Sequence, residues 1–140
     1  MSHSQPAYDE LYVYTMGRSH FILQHVVDAH GAQTADAGGK PIRLVFALAG
    51  LYLHLEQGFT GTQVQQAHIR LGRHKREWPS IALPHDRGAV TALEVMAAPA
   101  GAERDAAIDR WCEAVWHAFG ASRDAIIRLL ADEGFVPEPL

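Results

Sequence analysis

Apolar residues recur at every third or fourth position along most of this chain, and no useful stretch alternates with a period of two. The first spacing places side chains on one face of an α-helix, whereas a strand needs the second. The pattern therefore predicts an all-α fold. At 140 residues the chain has the length of one domain and can bury one core. We expect a single domain over 1–140, with an ordered core at about 7–133.

The first half of the chain is predicted to hold three helices. Residues 7–34 form the first, with Gly17 as a kink or break inside it. Pro41 suits the first turn of the second helix and Gly58 its end. Because this second helix is apolar all round, we expect it to be the central, most buried element. The third is mostly polar, is expected on the surface, and begins at one of two threonine caps, Thr60 or Thr62.

The second half is predicted to hold an irregular Trp-Pro loop, a short helix and a long C-terminal helix. Residues 73–88 contain two prolines five positions apart, which bar a helix. Thr91 begins a short helix through a capping box. Apolar residues beyond it keep one phase, which favours one helix over about 103–132, although Gly120 and Ser122 could divide it. The whole is a bundle of about four to five helices, which a symmetric partner could complete.

Composition and charge narrow the classes of function. The net charge of -4 disfavours binding to nucleic acids or anionic membranes, despite a basic cluster at residues 70–76. The longest apolar run, 44–53, is far short of the roughly 20 residues of a membrane span. Cys112 is the only cysteine, so an internal disulfide is excluded and a reducing compartment fits; its apolar face makes it an inert core residue. We expect a cytoplasmic protein.

Histidine is the one compositional hint of chemistry, with nine residues. On the first predicted helix, Arg18, His25 and Asp28 interrupt an otherwise apolar stripe of 3–4 spacing. Burying such groups costs several kcal/mol each unless they pair or bind something. Either the stripe borders solvent and His25–Asp28 is a surface pair, or the stripe faces a pocket.

A second candidate lies at the end of the central helix, where His54 and Glu56 follow the apolar run. His54 shares its face with Ala47 and Gly50, small residues that let another helix approach closely. A carboxylate of the first helix, such as Asp28, is expected to bond His54 and fix its tautomer. The alternative is that His54 is a satisfied core histidine.

A metal site is one hypothesis for these residues. His25, Asp28 and His54 would supply nitrogen and oxygen ligands from two helices, which suits Zn²⁺, Fe²⁺ or Ni²⁺, although no contiguous metal motif is present. If the protein is an enzyme, His25 or His54 would be the general base or metal ligand and Asp28 would orient it. Glu113 and His117, four positions apart, lie on a face expected to be solvated.

The loop with Trp78 is a third candidate, because irregular segments of this length in small domains tend to be functional. Trp78 either docks on the bundle and pins the loop, or covers a pocket. The other histidines are assigned by position: His3 to the tail, His68, His74 and His85 to the surface or a loop, and His20 and His30, with environments left open, to the flanks of the first helix.

Several motifs occur in a fixed order: Tyr8-Asp9-Glu10-Leu11, His25-Val26-Val27-Asp28-Ala29, Leu51 to Gly58, Trp78-Pro79 and Ala114-Val115-Trp116. As a set, spanning about residues 8–120, they resemble a bacterial family of uncharacterised small helical proteins, a domain of unknown function. That family often has Val-Asp-Ala-Tyr and a later histidine, where this chain has His30 and Thr34. The resemblance implies a helical domain and an important Asp28, and it implies no activity.

Together these observations predict a His/Asp-lined pocket for a metal ion or a small molecule. Its candidate residues are Arg18, His25, Asp28, His54, Glu56 and Trp78. The alternative is a non-enzymatic structural or interaction module, in which the polar cluster is internal hydrogen-bond wiring and exposed apolar stripes bury a homodimer.

Overall fold

The computed structural model describes residues 5–18, 22–73 and 77–135, and every regular element in those ranges is helical. Seven α-helices occur there: α1 (Gln5–Met16), α2 (Leu23–Gln33), α3 (Pro41–Gln57), α4 (Gly61–Gly72), α5 (Ala92–Ala97), α6 (Ala102–Ala118) and α7 (Arg123–Asp132). The all-α class is confirmed. The helices outnumber the predicted four to five because two predicted helices are each divided. None of the described helices has both the length and the apolarity to cross a bilayer.

The predicted first helix over 7–34 is two helices. α1 ends at Met16, and the N–H of Arg18 bonds to the carbonyl of Thr15 at 3.1 Å in a closing turn. Gly17 lies just past this end, where its low helix propensity agrees with a break. α2 begins at Leu23 and packs against both α1 and α3. Phe21 of the predicted helix and His20 on its flank lie outside the described residues.

α3 is the central helix, as its apolar composition predicted. Pro41 begins it, and its side chains are buried along most of residues 44–53. It packs against α2, α4, α6 and α7. Gly58 ends it with a φ of 73°, a left-handed conformation that glycine adopts without strain.

Threonine caps begin α4 and α5, as predicted; Thr60 is the cap of α4, and it forms a capping box that was predicted only for Thr91. At α4, Oγ1 of Thr60 accepts from the N–H of Gln63 at 3.2 Å, and Oε1 of Gln63 accepts from the N–H of Thr60 at 2.8 Å. Thr91 and Glu94 form the same reciprocal pair at α5. Each box satisfies donors that the first helical turn leaves free.

The predicted single helix over 103–132 is wrong. α6 ends at Ala118, and a 3₁₀ turn over Gly120–Ser122 precedes α7. The N–H of Ser122 bonds to the carbonyl of Phe119 at 2.9 Å, a three-residue step that tightens the chain. The apolar phase continues across this turn because α7 packs on α3 and returns its own apolar side chains to the same core: Ile126, Leu129 and Leu130.

The loop before α5 is irregular over residues 77–90, as the prolines predicted. Arg87 fastens it to the C-terminal end of α2 by donating to three carbonyl oxygens, those of Ala32, Gln33 and Ala35, at 3.4, 3.2 and 2.5 Å. A cation is favourable there because the last carbonyls of a helix lack intrahelical partners. Residues 74–76 of the basic cluster lie outside the described residues.

Candidate functional site

The neighbourhood of the site begins with a close approach of α2 and α3 at Gly50. A Cβ atom at this position would lie 1.9 Å from Oδ2 of Asp28 and 3.0 Å from Cγ1 of Val64. The carboxyl group of Asp28 therefore occupies space that only a glycine leaves open. This agrees with the inference that small residues on the His54 face admit another helix.

One helical turn further along α3, the imidazole of His54 stacks on that of His25. Their ring centroids are 3.5 Å apart and their planes differ by 15°. His25 is 3% exposed, and its Nδ1 is buried without a hydrogen-bond partner. Burial, and then the charge of His54, lower the pKa of His25 to about 3. His25 is therefore neutral at physiological pH.

His54 is held between two acceptors. Its Nε2 lies 2.9 Å from Oδ1 of Asp109 on α6, and its Nδ1 lies 3.2 Å from the carbonyl oxygen of Phe59. Both contacts are hydrogen bonds only when both ring nitrogens carry a proton. The expected partnership of His54 with Asp28 is wrong, because α6 brings its own carboxylate to the end of α3.

Asp28 has a different partner, the side-chain amide of Gln24, with 3.0 Å between Nε2 and Oδ1. Its Oδ2 is buried without a partner, and burial raises the pKa of Asp28 well above its usual value. Asp28 and His25 are each 3% exposed, so the alternative of a surface pair is wrong. Within the described part of the chain, no hydrogen bond joins the two side chains.

His25 and His54 line a cavity of about 290 Å³ between α2, the turn after α3, and α6. Its other polar wall residues are Thr60, Asp105 and Asp109, and its large apolar wall residues are Ile22, Phe59 and Ile108. Apolar walls with a few convergent polar groups are typical of ligand sites, and the volume of about 290 Å³ lies just below their usual range of roughly 300–1,000 Å³. The cavity can therefore hold a small molecule.

Arg18 does not line this cavity, but it bonds to one residue of its wall, Asp105. Its guanidinium donates to Oδ2 of Asp105, and the hydroxyl of Tyr14 donates to Oδ1 of the same carboxylate at 2.8 Å. The side chains of Arg18 and Asp105 are 38% and 31% exposed. The structure thus connects Arg18 to the site through an exposed ion pair.

Glu56 and Trp78 do not line this cavity. Glu56 accepts from Nε1 of Trp116 at 2.7 Å and from Nε of Arg123 at 2.9 Å, so it connects α3 to α6 and α7. The hydrogen bond from Arg123 lowers the pKa of Glu56. Trp78 packs edge-on against Phe46, with 5.4 Å between ring centroids, which agrees with docking of the loop on the bundle.

His68 was expected at the surface or in a loop, and the structure places it half-buried on α4. Its Nε2 lies 2.7 Å from the carbonyl oxygen of Phe46, and its Nδ1 lies 3.5 Å from Nε2 of Gln24. Burial lowers its pKa. The apolar residues that share its side of α4, Val64 and Leu71, were the available indication of burial.

The two aspartates of α6 do not stand out in the sequence. Asp105 and Asp109 are four positions apart beside Ile108, at the edge of the apolar stripe of α6. Acids at the edge of an apolar stripe are common on solvated helices, so only the position of α6 beside α3 reveals their role.

Several simpler predictions are confirmed. Glu113, His117 and His85 are exposed. Cys112 is fully buried, and burial raises the pKa of its thiol, which makes it unreactive. His30, whose environment was open, stacks on Tyr8 with 3.7 Å between centroids. The remaining histidines, His3, His20 and His74, lie outside the described residues.

No three histidine, cysteine, aspartate or glutamate side chains within residues 5–18, 22–73 and 77–135 form a group that could hold a metal ion. The rings of His25 and His54 stack face to face, and Asp28 is bonded to Gln24. The metal hypothesis built on His25, Asp28 and His54 therefore has no support in this arrangement.

The fold and the cavity define a small all-α domain with a candidate ligand site at one end of its central helix. The chain belongs to a family of unknown function, DUF5946, whose model matches residues 5–120. The resemblance to a domain of unknown function is thereby confirmed. The match includes every residue that lines the cavity. No curated protein and no solved structure matches the chain.

Proposed function

We propose that the protein binds a small molecule in the cavity between α2, the turn after α3, and α6. The observation that carries the proposal is the stacked pair of His25 and His54 in the wall of this cavity. His25 is buried and has an unpartnered ring nitrogen. Buried polar groups without partners are rare and costly, and a binding role is one of the few reasons for a protein to keep one.

The chemistry of the two rings favours binding over acid–base catalysis. A pKa of about 3 makes His25 a weak base near neutral pH. Both nitrogens of His54 already face acceptors, Asp109 and the Phe59 carbonyl. A neutral imidazole still offers one donor and one acceptor, so His25 is suited to hydrogen-bond a ligand without adding charge.

The test is a fragment screen read by amide chemical shifts of ¹⁵N-labelled protein. Fragments that bind are expected to shift the amides of Phe59, Thr60, Ile108 and Asp109. His25→Phe keeps an aromatic ring against His54 and removes both ring nitrogens, so these shifts should be lost. His30→Phe is the matched control, because His30 is also a stacked ring with a buried, unpartnered nitrogen but does not line the cavity.

Two results would overturn the proposal. One is a screen in which no fragment shifts the amides of the cavity wall. The other is equal binding by the His25→Phe and His30→Phe variants, which would make His25 a structural residue. Stoichiometric Zn, Fe or Ni in tag-free protein, lost in the His25→Phe variant, would replace the organic ligand by a metal.

A structural module that forms a homodimer is the second candidate function. Its supporting observation is an exposed apolar side of α1, where Val13 and Met16 are each 67% exposed and Tyr12 is 38% exposed. Light scattering over a dilution series tests it, with Val13→Lys as the variant expected to reduce the mass to that of a monomer. A monomer at all concentrations of the wild type would remove this candidate.

A further inference from the structure

We propose that the ligand of this cavity is a small organic cation with N–H donors, an alkylammonium or guanidinium compound, held by Asp109 and Asp105, and that Arg18 competes with it for Asp105. This inference rests on the proposed function and names the chemical class of its ligand. It is based on which polar groups of the wall already have hydrogen-bond partners and which do not.

Asp109 offers an available carboxylate oxygen at the wall. Its Oδ1 is bonded to Nε2 of His54, whereas no group in the described part of the chain pairs with Oδ2. The side chain is 55% exposed, so a ligand can reach it. Hydrogen bonds from a cation to such a carboxylate are charge-assisted and are stronger than bonds between neutral groups.

His25 is the second observation that points to a ligand. It is 3% exposed, it lines the cavity, and its Nδ1 has no partner. Because burial keeps this imidazole neutral, it does not repel a cation. The charge that His54 carries when it makes both hydrogen bonds is paired with Asp109, and that of Arg18 is paired with Asp105. A ligand is therefore recognised by the acceptor oxygen that remains available at the wall.

An anion finds no comparable partner among the described wall residues. His25 is neutral, both nitrogens of His54 face acceptors, and the guanidinium of Arg18 is bonded to Asp105. A carboxylate ligand would therefore lie beside two acids without a cationic donor that is still available to it among these residues. The wall thus favours a ligand with N–H donors, because the acceptor that remains among them is Oδ2 of Asp109.

One of these carboxylates, that of Asp105, already binds a cation, the guanidinium of Arg18. The guanidinium also lies 5.5 Å from the ring centroid of Tyr14, whose hydroxyl bonds to the other oxygen of Asp105. Exposed ion pairs of this kind contribute little because water and salt screen them. A ligand cation can therefore displace Arg18, and removing Arg18 should strengthen binding.

The size and walls of the cavity restrict the ligand further. A volume of about 290 Å³ suits a molecule of few non-hydrogen atoms, and Ile22, Phe59 and Ile108 favour an apolar body. A short alkyl chain with a terminal cation meets both requirements. Butylammonium is therefore the probe, with butyrate and 1-butanol as molecules of similar shape that carry a negative charge or none.

The experiment is an amide-shift titration of the wild type and three variants with each of the three probes. Butylammonium should bind the wild type at the cavity wall, with Asp109→Asn weakening its binding about threefold. Arg18→Gln should tighten it about threefold. Asp132→Asn removes an exposed acid at the end of α7 and should leave binding unchanged. Thermal unfolding of each variant checks that it is folded.

The outcomes separate the class of ligand from the existence of the site. If butyrate or 1-butanol shifts the wall amides and butylammonium does not, the cationic class is overturned and the proposed function stands. If none of the probes and no fragment binds there, the proposed function itself fails. Weaker butylammonium binding by a folded Arg18→Gln variant overturns the competition with Arg18.

Discussion

Asp28 is an acid whose neutral form is favoured by burial. Its pKa is raised well above the usual 3.8, so folding favours the protonated carboxyl. The resulting penalty is absent below about pH 4 and grows as the pH rises toward the folded-state pKa. Asp28→Asn keeps the shape and removes the titration. We expect it to raise the free energy of unfolding near pH 7 by about 1–3 kcal/mol.

Urea unfolding of the wild type and this variant over a pH series measures the effect. The two proteins should have similar stability below about pH 4 and should diverge as the pH rises. Parallel pH profiles would show that Asp28 does not titrate between the folded and unfolded states.

His25 and His30 should give the opposite pH dependence. Burial lowers the pKa of each below 6.5, so titration costs the folded state nothing above pH 6.5, and the cost grows as the pH falls from there toward the folded-state pKa. Replacing either by phenylalanine should raise the free energy of unfolding by about 1 kcal/mol and reduce the acid sensitivity. Thermal melts at two pH values measure this, and His85→Gln, in an exposed loop, serves as the control. Unchanged acid sensitivity would contradict the assignment.

At this scale the sequence identifies part of the site and misses its partners. His25, Asp28 and His54 stand out because they interrupt apolar helix faces, and the structure places two of them in the cavity wall. Asp109 does not stand out, because it is 55 positions from His54 in sequence, and their pairing depends on how α6 packs against α3. The pattern of residues along one helix does not show which side chains of another helix will pack beside it.

Helix packing makes a sharp prediction at Gly50. A Cβ atom there would lie 1.9 Å from Oδ2 of Asp28 and 2.7 Å from its Cγ, so α2 and α3 would have to separate. Gly50→Ala should lower the free energy of unfolding by about 1–3 kcal/mol. Gly31→Ala is the matched control, because its Cβ would meet only Cβ of Ala47 at 3.8 Å and it should gain up to about 1 kcal/mol of helix propensity. Chemical denaturation measures both changes in the free energy of unfolding. A change of the same sign in the two variants would contradict this packing of α2 on α3.

Glu56 joins three helices and should matter for α7. It accepts from Trp116 of α6 and Arg123 of α7. Because its pKa is lowered from 4.5, its contribution to stability is present above that value and is lost at lower pH. Glu56→Gln should cost about 1 kcal/mol or less, since the pair with Arg123 is partly exposed. Denaturation at low and high salt measures this loss of stability, with Glu113→Gln as the control. A loss that does not depend on salt and equals that of the control would contradict the role of Glu56.

The elements with local signals follow from the sequence, and the divided ones do not. Pro41, Gly58 and the two threonine caps act within one or two turns, so their helices begin or end where predicted. The breaks before α2 and before α7 do not follow from such local signals. At the second break, the spacing of apolar residues continues in phase across the Gly120–Ser122 turn. A continuous phase shows that side chains reach the same core, and it does not require one continuous helix.

For the whole molecule, the sequence predicts a helical bundle around a central α3, and it cannot predict the cavity. The wall comes from α2, the turn after α3, and α6, which only the assembled fold brings together. The two histidines of the wall are recognisable in advance because both sit on apolar helices. The proposed class of ligand rests on the aspartates of α6, and thus on the tertiary structure.

The most direct test of the central claim is the amide-shift map of bound fragments in the wild type, His25→Phe and His30→Phe proteins. We expect saturable shifts at Phe59, Thr60, Ile108 and Asp109 in the wild type and the His30→Phe variant, and their loss in a folded His25→Phe variant. Saturable shifts of equal size in the His25→Phe variant, or the absence of shifts at these four residues in the wild type, would contradict it.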